Sequence, residues 1–498
     1  MSHRIAVIYH SRRGTVRTLA TLAAEGARET GAEVLLLRVE DDGPGRPQWP
    51  ERAAEPEDVV WADGLVLAGP TYYGNVSSPL KRFLESTSLL WGRGLLADRV
   101  ATGITCSTQR HGGREATLTA LHHTLYHWGC WVAGSDPDDP VTRAAGGTPY
   151  GLVADNSQGA PAPHECAAAR ALGRRLAGLA ARARPLPPLP PLPPLPPPSP
   201  PPARDPQPRT VLPTPAAVPV PAVPVPTGSA NSGAPGGSGY GPPPAALTVT
   251  EPAPAPQPAS AAPPAPVPAG TVRGAGLPGV SPRPVRFAVV YHGEDAAIRM
   301  LAQEAASAAR AVGAGVRLRR VARGSEARDA AWLGPWAAPA LAEDIAWADA
   351  VLFGAPVRLG ALAAPLLEFV QSLEPADGGR GPLWGKPAGG FAITPAPHAG
   401  AETALNDLGH VLLHTGAVLV PPGYTDPVIA AAGGNPYGTT HSRTMGYLPT
   451  PQAMAAAAHQ SRRTVLAGDL LRRAPRPPGA ATAPSGPAGP PTFIGSTA

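Results

Sequence analysis

The chain has 498 residues, enough for two or three domains, and carries a formal net charge of +5. Charged residues make up only 15% of it and no arginine-rich run occurs, which excludes a typical nucleic-acid groove. Three widely spaced cysteines, with no signal-like or membrane-spanning apolar stretch, lead us to expect a cytoplasmic protein without disulfides and without membrane insertion.

In chain order, the first 184 residues alternate short apolar runs with helix-like segments. The runs predict strands at residues 5–9, 34–39, 65–68, 100–105 and 131–133, and helices at residues 15–30, 79–86, 115–128 and 164–184. Strands that are apolar throughout are typical of a parallel sheet covered by helices on both faces. The expected fold class is therefore α/β, with a doubly wound, five-stranded, flavodoxin-like sheet of order 2-1-3-4-5.

The composition changes abruptly after this segment. Residues 185–284 are mainly Pro, Ala, Gly and Ser, which predicts a disordered linker, and residues 475–498 predict a disordered tail. Residues 285–474 repeat the first segment: IAVIYH at 5–10 corresponds to FAVVYH at 287–292, and AAGGTPYG at 144–151 corresponds to AAGGNPYG at 431–438. We call residues 1–184 lobe one and residues 285–474 lobe two, and predict that they are duplicated flavodoxin-like domains.

Three loops of lobe one follow predicted strand ends. Residues 11–16 place two hydroxyls and Gly14 before a helix, a pattern that favours a phosphate group but is also typical of a helix cap. Residues 69–79, with Tyr72 and Tyr73, favour contact with a flat ring, or else form a turn with locally packed tyrosines. Residues 106–116 contain a Gly-Gly turn before a helix, and the alternative for this loop is a long mobile turn without a ligand. Together the three loops predict a site for a nucleotide-like cofactor.

The motifs SRRGTV, GPTYYGN, GGRE, LLWGRG, LYHWG and GGTPYG also carry a family resemblance. In this order and spacing they resemble the WrbA-type flavodoxin-like NAD(P)H:quinone oxidoreductases, over all of lobe one and the length of lobe two. The resemblance implies FMN as cofactor, NADH or NADPH as electron donor, a small-molecule quinone as acceptor, and a homo-oligomer. The cofactor-binding residues that it implies are Ser11, Arg12, Arg13, Gly14, Thr15, Val16, Pro70, Thr71, Tyr72, Tyr73, Gly74, Asn75, Ser107, Thr108, Gln109, Arg110, His111 and Gly112.

The resemblance further implies that His127 acts catalytically beside the flavin and that Trp91 lines the substrate pocket. The alternatives are a hydrogen bond at a helix end for His127 and an ordinary core position for Trp91. His122, His123 and His127 include an i,i+4 pair, but no carboxylate or cysteine stands at a matching position, so no metal site is expected.

Lobe two has lost the corresponding chemistry. Its first loop reads GEDAAI at residues 293–298, with Glu294 and Asp295 in place of the hydroxyls. Its second loop, at residues 355–361, lacks tyrosines and asparagine, and prolines in its third loop, at residues 393–402, remove backbone donors. We expect that lobe two binds no FMN and serves as a structural pseudo-subunit in an intrachain pseudo-dimer. The repeated octapeptide is then a mark of the fold and of the junction, and no sign of a second active site.

The predicted function is that of an FMN-dependent NAD(P)H:quinone oxidoreductase, which transfers a hydride from NAD(P)H through FMN to a quinone. One alternative is a non-catalytic scaffold whose linker motif PLPPLPPLP binds partners of the SH3 or WW kind. Another is a flavodoxin-like electron carrier, although the positive net charge of the chain is unusual for that class.

Overall fold

The computed structural model describes residues 2–41, 47, 49–109, 111–157, 159–183, 283–322, 337–375 and 379–473. The predicted linker, apart from its last two residues, and the predicted tail lie outside this set. Within the set, no helix is long and apolar enough to cross a membrane.

Lobe one alternates strands and helices. Its strands are β1 (Arg4–Tyr9), β2 (Glu33–Arg38), β3 (Gly64–Tyr72), β4 (Asn75–Val76), β5 (Val100–Ser107), β6 (Trp131–Val132) and β7 (Leu152–Asp155). Its helices are α1 (Thr15–Arg28), α2 (Pro56–Trp61), α3 (Ser78–Ser86), α4 (Ser88–Gly92), α5 (Arg114–Trp128), α6 (Pro140–Ala144) and α7 (Pro163–Arg182). Every strand and helix predicted for this lobe is present, and β3 alone extends well beyond its predicted end.

The sheet of lobe one has the predicted order. Neighbouring strands run β2-β1-β3-β5, all parallel, and β6 and β7 share the fifth position because both pair with β5. This arrangement confirms the flavodoxin-like order 2-1-3-4-5. The sequence had indicated only the first half of the fifth strand: the chain leaves the sheet after β6, forms α6 and the first octapeptide, and returns as β7.

Side chains of β1 alternate between two hydrophobic layers. Ile5, Val7 and Tyr9 are fully buried in the layer that contains α1 and α7, whereas Ala6 and Ile8 are buried in the layer on the opposite face. Burial on both faces is the reason that the strand is apolar throughout. The polar side chains that could meet a ligand are therefore confined to the loops beyond the strand ends.

Lobe two repeats the architecture. Its strands are β8 (Arg286–His292), β9 (Gly315–Val321), β10 (Ala338–Pro339), β11 (Ala350–Arg358), β12 (Ala361–Leu362), β13 (Pro387–Thr394), β14 (Val418–Leu419) and β15 (Thr439–Ser442). Its helices are α8 (Ala296–Ala311), α9 (Ala342–Trp347), α10 (Ala364–Gln371), α11 (Ala401–His414), α12 (Pro427–Ala431) and α13 (Pro451–Arg473). The strand order is β9-β8-β11-β13, with β14 and β15 sharing the fifth position.

The two lobes share one continuous sheet. Strand β6 pairs antiparallel with β14, where Val132 lies opposite Leu419. Each half of the sheet is parallel along its main path, and the pairing at the junction is antiparallel. The hydrophobic core is continuous as well, because Val418 and Leu470 of lobe two belong to the same buried cluster as Trp131.

The two octapeptides project tyrosines across this junction. Tyr150 Oη lies 3.0 Å from His414 Nε2, and Tyr437 Oη lies 3.4 Å from His127 Nε2. Each tyrosine ring also meets a second histidine, one helical turn earlier in the opposite lobe. The two tyrosines are 287 positions apart in the sequence, and so are His127 and His414, so the two contacts are equivalent. Each octapeptide therefore contributes a tyrosine to the contacts between the lobes.

Candidate functional site

A cavity of about 300 Å³ lies at the carboxyl ends of β1, β3 and β5. It is formed by the first loop (residues 11–16), the second loop (69–79) and the third loop (106–116) of lobe one. The residues that were predicted to bind a cofactor and that line it are Ser11, Arg12, Arg13, Thr15, Val16, Pro70, Thr71, Tyr72, Ser107, Thr108, Gln109 and Gly112. The fold thus brings three segments that are distant in sequence to one place.

The first loop runs into the N-terminus of α1. Gly14 adopts a left-handed conformation with φ of 90°, and its amide donates to Ser11 Oγ at 3.2 Å. Thr15 Oγ1 donates to the carbonyl oxygen of Gly159 at 2.8 Å. The first turn of α1 contains no acidic residue, so the positive end of the helix dipole and the first helical amides are suited to an anionic ligand.

Two arginines add positive charge to the first loop. Arg12 donates from Nε and Nη2 to the two carboxylate oxygens of Asp41, at 2.6 and 3.1 Å, and this pairing raises the pKa of Arg12 further. Arg12 is therefore held by a carboxylate of the protein itself. Arg13 lines the cavity as well, and its cation adds to the attraction for an anion at the helix N-terminus.

The second loop presents its two tyrosines differently. Tyr72 lines the cavity, whereas Tyr73 is fully exposed at a positive φ of 51°. Thr71 Oγ1 lies 3.0 Å from Thr105 Oγ1 and donates to Thr117 Oγ1 at 2.9 Å. These hydroxyl contacts hold the base of the second loop against β5 and α5, while the tip of the loop faces solvent.

A close glycine contact joins the second and third loops. A Cβ atom on Gly113 would lie 2.5 Å from the Cα atom of Gly74. A Cβ atom on Gly112 would lie 2.8 Å from Ser107 Oγ, which itself donates to the carbonyl oxygen of Gln109 at 2.5 Å. Only glycine fits this approach, and Gly113 also has a positive φ of 81°. The two loops therefore form one wall of the cavity.

Two residues of the cavity wall, Cys106 and Asn156, were not predicted to bind a cofactor. Burial raises the pKa of the Cys106 thiol to about 12, so its sulfur stays protonated. Asn156 Nδ2 donates to Cys106 Sγ at 3.5 Å, while its buried Oδ1 has no hydrogen-bond partner among the described residues. Asn156 directly follows β7, the strand that the apolar pattern did not reveal, so no sequence signal pointed to it.

His127 and Trp91 are absent from the described lining of this cavity and contact lobe two. Trp91 Nε1 donates to the backbone carbonyl of His127 at 2.8 Å, and the indole meets Tyr424 edge-on with ring centroids 5.4 Å apart. The His127 ring lies 5.5 Å from that of Tyr424 and contacts Tyr437. We call Trp91, His127, Tyr424 and Tyr437 the junction cluster. Its two lobe-two tyrosines could not be recognised from lobe one alone.

The junction cluster is uncharged at neutral pH. Burial lowers the pKa of His127, and the neighbouring His123 lowers it further, whereas Glu402 acts in the opposite direction. Burial also raises the pKa of Tyr437, so its hydroxyl keeps its proton. The pair of His127 and Tyr437 thus offers a neutral imidazole and a phenol in contact, which can hold or pass a proton but supplies no fixed positive charge.

The other predicted residues are placed as follows. Among the described residues, those predicted to contact the cofactor but not found in the cavity wall are Gly14, Tyr73, Gly74, Asn75 and His111. Gly14 and Gly74 act through backbone shape, and Asn75 Oδ1 accepts the amide hydrogen of Val76 at 2.8 Å. Arg110 lies outside the described part of the chain. No group of three or more His, Cys, Asp or Glu suited to a metal ion occurs in that part.

In lobe two, charged side chains of the protein occupy the position that corresponds to the first loop. Asp295 caps α8 by accepting the amide hydrogen of Ala297 at 2.8 Å, and Arg443 forms an ion pair with the same carboxylate. Glu294 lies 3.5 Å from Arg320. The N-terminus of α8 therefore carries an acidic side chain, whereas the first turn of the equivalent helix α1 in lobe one contains none.

The backbone of the other two loops keeps its shape in lobe two. A Cβ atom on Gly400 would lie 2.7 Å from the Cα atom of Gly360, as at the corresponding glycine pair of lobe one. Leu359 stands fully exposed at a φ of 51°, in the place of Tyr73. The duplicated lobe has thus kept the loop geometry and exchanged the side chains.

The residues of the lobe-one cavity fit FMN. A helix N-terminus with two hydroxyls and an arginine suits a phosphate group. The close contact of Gly113 with Gly74 holds the second loop against the third loop, whose Gly112 lines the cavity. The unpartnered Asn156 Oδ1 offers a buried acceptor to a ring N–H. The volume of about 300 Å³ is at the lower end of the range for ligand sites.

Known proteins are similar to this chain. A Deinococcus radiodurans protein named NAD(P)H dehydrogenase (quinone) is 34% identical over 171 residues, covering 31% of this chain and 84% of that protein. A protein of the same name from Chromohalobacter salexigens is 32% identical over 196 residues, covering 36% of this chain and 98% of that protein. The crystal structure of a WrbA-like flavodoxin protein from Agrobacterium tumefaciens is 23% identical, with a TM-score of 0.29, and covers 37% of this chain and 100% of that one.

A family model described as NADPH-dependent FMN reductase matches residues 3–136 and, a second time, residues 293–426. The two matches fall one in each lobe and together make up more than half of the chain. The chain therefore belongs to the family of NADPH-dependent FMN reductases.

Proposed function

We propose that this chain is an FMN-dependent NAD(P)H:quinone oxidoreductase whose cofactor binds in the lobe-one cavity. The observation that carries the proposal is the convergence of the three loops at the carboxyl ends of β1, β3 and β5, beside a helix N-terminus without acidic residues. The names of the relatives, NAD(P)H dehydrogenase (quinone), support the choice of donor and acceptor.

In this proposal the first loop holds the phosphate of FMN. Ser11, Thr15 and the first amides of α1 would donate hydrogen bonds to it, and Arg13 would add charge. Thr15 would exchange its present bond to the carbonyl of Gly159 for one to a phosphate oxygen. Arg12, which is already paired with Asp41, would shape the loop more than it neutralises the ligand.

The second and third loops would hold the ring. The chemistry that FMN supplies when bound is two-electron transfer, with a hydride accepted from a reduced nicotinamide and two electrons passed to a quinone. Backbone groups near Gly74 and Gly112, and the side chain of Asn156, would meet the polar edge of the ring. Cys106 stays protonated and therefore adds no negative charge to this wall.

The junction cluster would serve the substrate side of the site. His127 and the hydroxyl of Tyr437 are in contact and both uncharged, so they are suited to hold the protons that a quinone takes up on reduction. Trp91 is oriented by its bond to the carbonyl of His127 and would present an aromatic surface to a flat substrate.

We propose further that lobe two is a structural pseudo-subunit. It contributes Tyr424 and Tyr437 to the junction cluster, while its own first loop is closed by the ion pair between Asp295 and Arg443. In this proposal one chain carries a single FMN, and lobe two completes the environment of His127.

Flavin loading and reduction test both proposals. The purified full chain, incubated with FMN and freed of excess, should hold one FMN per chain, lose its flavin colour on addition of NADH or NADPH, and regain it with benzoquinone. Simultaneous replacement of Ser11 and Thr15 by alanine should weaken FMN binding at least tenfold, whereas Thr119→Ala, an exposed hydroxyl on α5, should not.

Three results would count against these proposals. A colourless protein that takes up no FMN would favour the scaffold alternative. Unchanged FMN affinity in the double variant would reject the phosphate role of the first loop. Two tightly bound FMN per chain would reject the structural role of lobe two while leaving the enzymatic proposal intact.

A further inference from the structure

A second cavity, of about 830 Å³, lies between the lobes and shares no lining residue with the cofactor cavity. Lobe one contributes one face of α7 and residues 135–142, and lobe two contributes residues 380–387 and the end of α13. We propose that this interlobe cavity binds a small phosphorylated anion. Its volume is in the range of ligand sites, and the inference does not depend on the proposed function.

The lining of the interlobe cavity is strongly cationic. Its arginine and lysine side chains are Arg174, Arg175, Arg182, Arg380, Lys386 and Arg472. Its carboxylates, among the described residues, are Asp136, Asp139 and Asp349. The lining residues thus carry a formal excess of three positive charges. Two of the cations, Arg174 and Arg472, also form ion pairs with Glu29 and Asp469, which lie outside the lining. An excess of one sign of charge in a cleft attracts a ligand of the opposite sign.

Arg175 is the buried centre of this charge. Its side chain is only 14% exposed, and Nε and Nη2 donate to the carbonyl oxygens of Gly134 and Gly416, one in each lobe, at 3.0 and 3.2 Å. Carbonyl groups orient a guanidinium but do not neutralise it. The carboxylate of Asp136 lies 3.9 Å from Nη1, beyond hydrogen-bond distance, and burial lowers the pKa of Arg175.

Asp136 is shared among several donors. One oxygen accepts Trp384 Nε1 at 2.9 Å, and the other accepts Arg380 Nη2 at 3.0 Å. The Arg380 guanidinium also lies 3.9 Å over the ring of Trp384. A single carboxylate therefore faces two guanidiniums, Arg175 and Arg380. A phosphate group would supply the missing negative charge, and its oxygens can accept paired hydrogen bonds from a guanidinium group.

Gly178 on α7 lines the cavity and can be replaced without changing any of the charged residues. A Cβ atom built on Gly178 has no atom within 4 Å, so a longer side chain fits there and extends into open space. Gly178→Glu would add one negative charge to the cavity, and Gly178→Gln would add the same volume without charge. Both changes favour the helix over glycine, so both variants should fold.

The experiment is calorimetric titration of the full chain, loaded with FMN, with ADP as the phosphorylated probe and adenosine as the uncharged comparison. ADP should bind more weakly as the salt concentration rises, and adenosine should not bind. Gly178→Glu should weaken ADP binding at least tenfold, Gly178→Gln less than threefold, and Arg310→Ala, an exposed arginine of lobe two, not at all. FMN content and quinone reductase activity should be the same in all variants.

The proposal is overturned if ADP at millimolar concentration does not bind. Binding that is equal in the wild type and in Gly178→Glu overturns it as well, because such binding lies elsewhere. In that case displacement of ADP by NADPH would locate it in the cofactor cavity. Equal losses in Gly178→Glu and Gly178→Gln would reject the role of charge and thereby the anionic ligand.

Discussion

Replacing Gly113 by alanine tests whether the second and third loops form one cofactor site. At this position φ is 81°. The added Cβ atom would lie 2.5 Å from the Cα atom of Gly74, and Cβ atoms in proteins essentially never lie closer than 3.0 Å to another heavy atom. The left-handed conformation costs about 1 kcal/mol for a residue other than glycine. The steric overlap must be relieved by a backbone shift of about 0.5 Å or more, which separates the two loops.

We expect this shift to act mainly on cofactor affinity. The dissociation constant for FMN should rise about tenfold or more, which corresponds to about 1.4 kcal/mol, and the free energy of unfolding should fall by about 1–3 kcal/mol. Quenching of FMN fluorescence on binding measures the first quantity, and urea unfolding of the protein without added FMN measures the second. The two effects are thus obtained separately.

Two variants of the same chain serve as controls. Gly31→Ala has nearly the same φ, 82°, but no atom within 4 Å of its new Cβ, so it carries the conformational cost alone. Gly400→Ala in lobe two reproduces the overlap, at 2.7 Å from Gly360. Both should be destabilised and neither should lose FMN affinity. A folded Gly113→Ala variant with unchanged affinity, or an equal loss in Gly400→Ala, would refute the reasoning.

Three further predictions follow from the junction and the core. Tyr437→Phe should lower quinone reductase turnover about fivefold to tenfold, whereas Tyr150→Phe, its equivalent in the other octapeptide, should leave turnover unchanged, as measured by steady-state kinetics. Burial lowers the pKa of His122 to about 3, below its usual value of 6.5. Between these values the unfolded state binds a proton that the folded state does not, so stability falls as the pH falls, and His122→Leu should flatten the change of Tm between pH 7 and 4. Arg463→Ala removes a guanidinium that is 2% exposed and lies 2.6 Å from Asp98 across the lobes, and urea unfolding should show a loss of about 3 kcal/mol.

Each of these predictions has an outcome that contradicts it. Equal losses of turnover in the two tyrosine variants would mean that the phenol at His127 has no special role. An unchanged pH dependence of Tm in His122→Leu would show that other groups titrate. For the interlobe ion pair the control is Arg310→Ala at an exposed position, and an equally small effect of both arginine changes would show that Arg463 contributes little.

The strands and the three loops could be predicted because their signals are local. A strand buried on both faces must be apolar along its whole length, and β1 therefore stands out from its surroundings. The first loop was recognisable because Gly14 and two hydroxyls precede a helical pattern, and the cavity contains both hydroxyl residues. At these positions the local sequence pattern is enough to predict both the secondary structure and the place of the residues in the fold.

The remaining features depend on contacts between distant segments. Asn156 enters the cavity only because the fifth strand is interrupted and resumes as β7, where Asp155 makes the apolar run short. Arg12 pairs with Asp41, which lies 29 positions further along the chain, and this pairing had no local sequence signal. The lobe-two contacts of His127 required knowledge of the sheet junction, which rests on strands of only two residues each.

The residues that the two lobes have in common include those that make equivalent contacts at their junction. The contact between an octapeptide tyrosine and its histidine partners occurs twice, once in each direction across the junction, so these residues are needed in both lobes. The three loops lie outside these reciprocal contacts, and a change in one lobe leaves the equivalent loop of the other lobe intact. Lobe two can therefore place Asp295 and Arg443 at its helix N-terminus without cost to the junction. For this reason Tyr150→Phe and Tyr437→Phe should lower the free energy of unfolding by similar amounts, although we expect only the second to lower turnover.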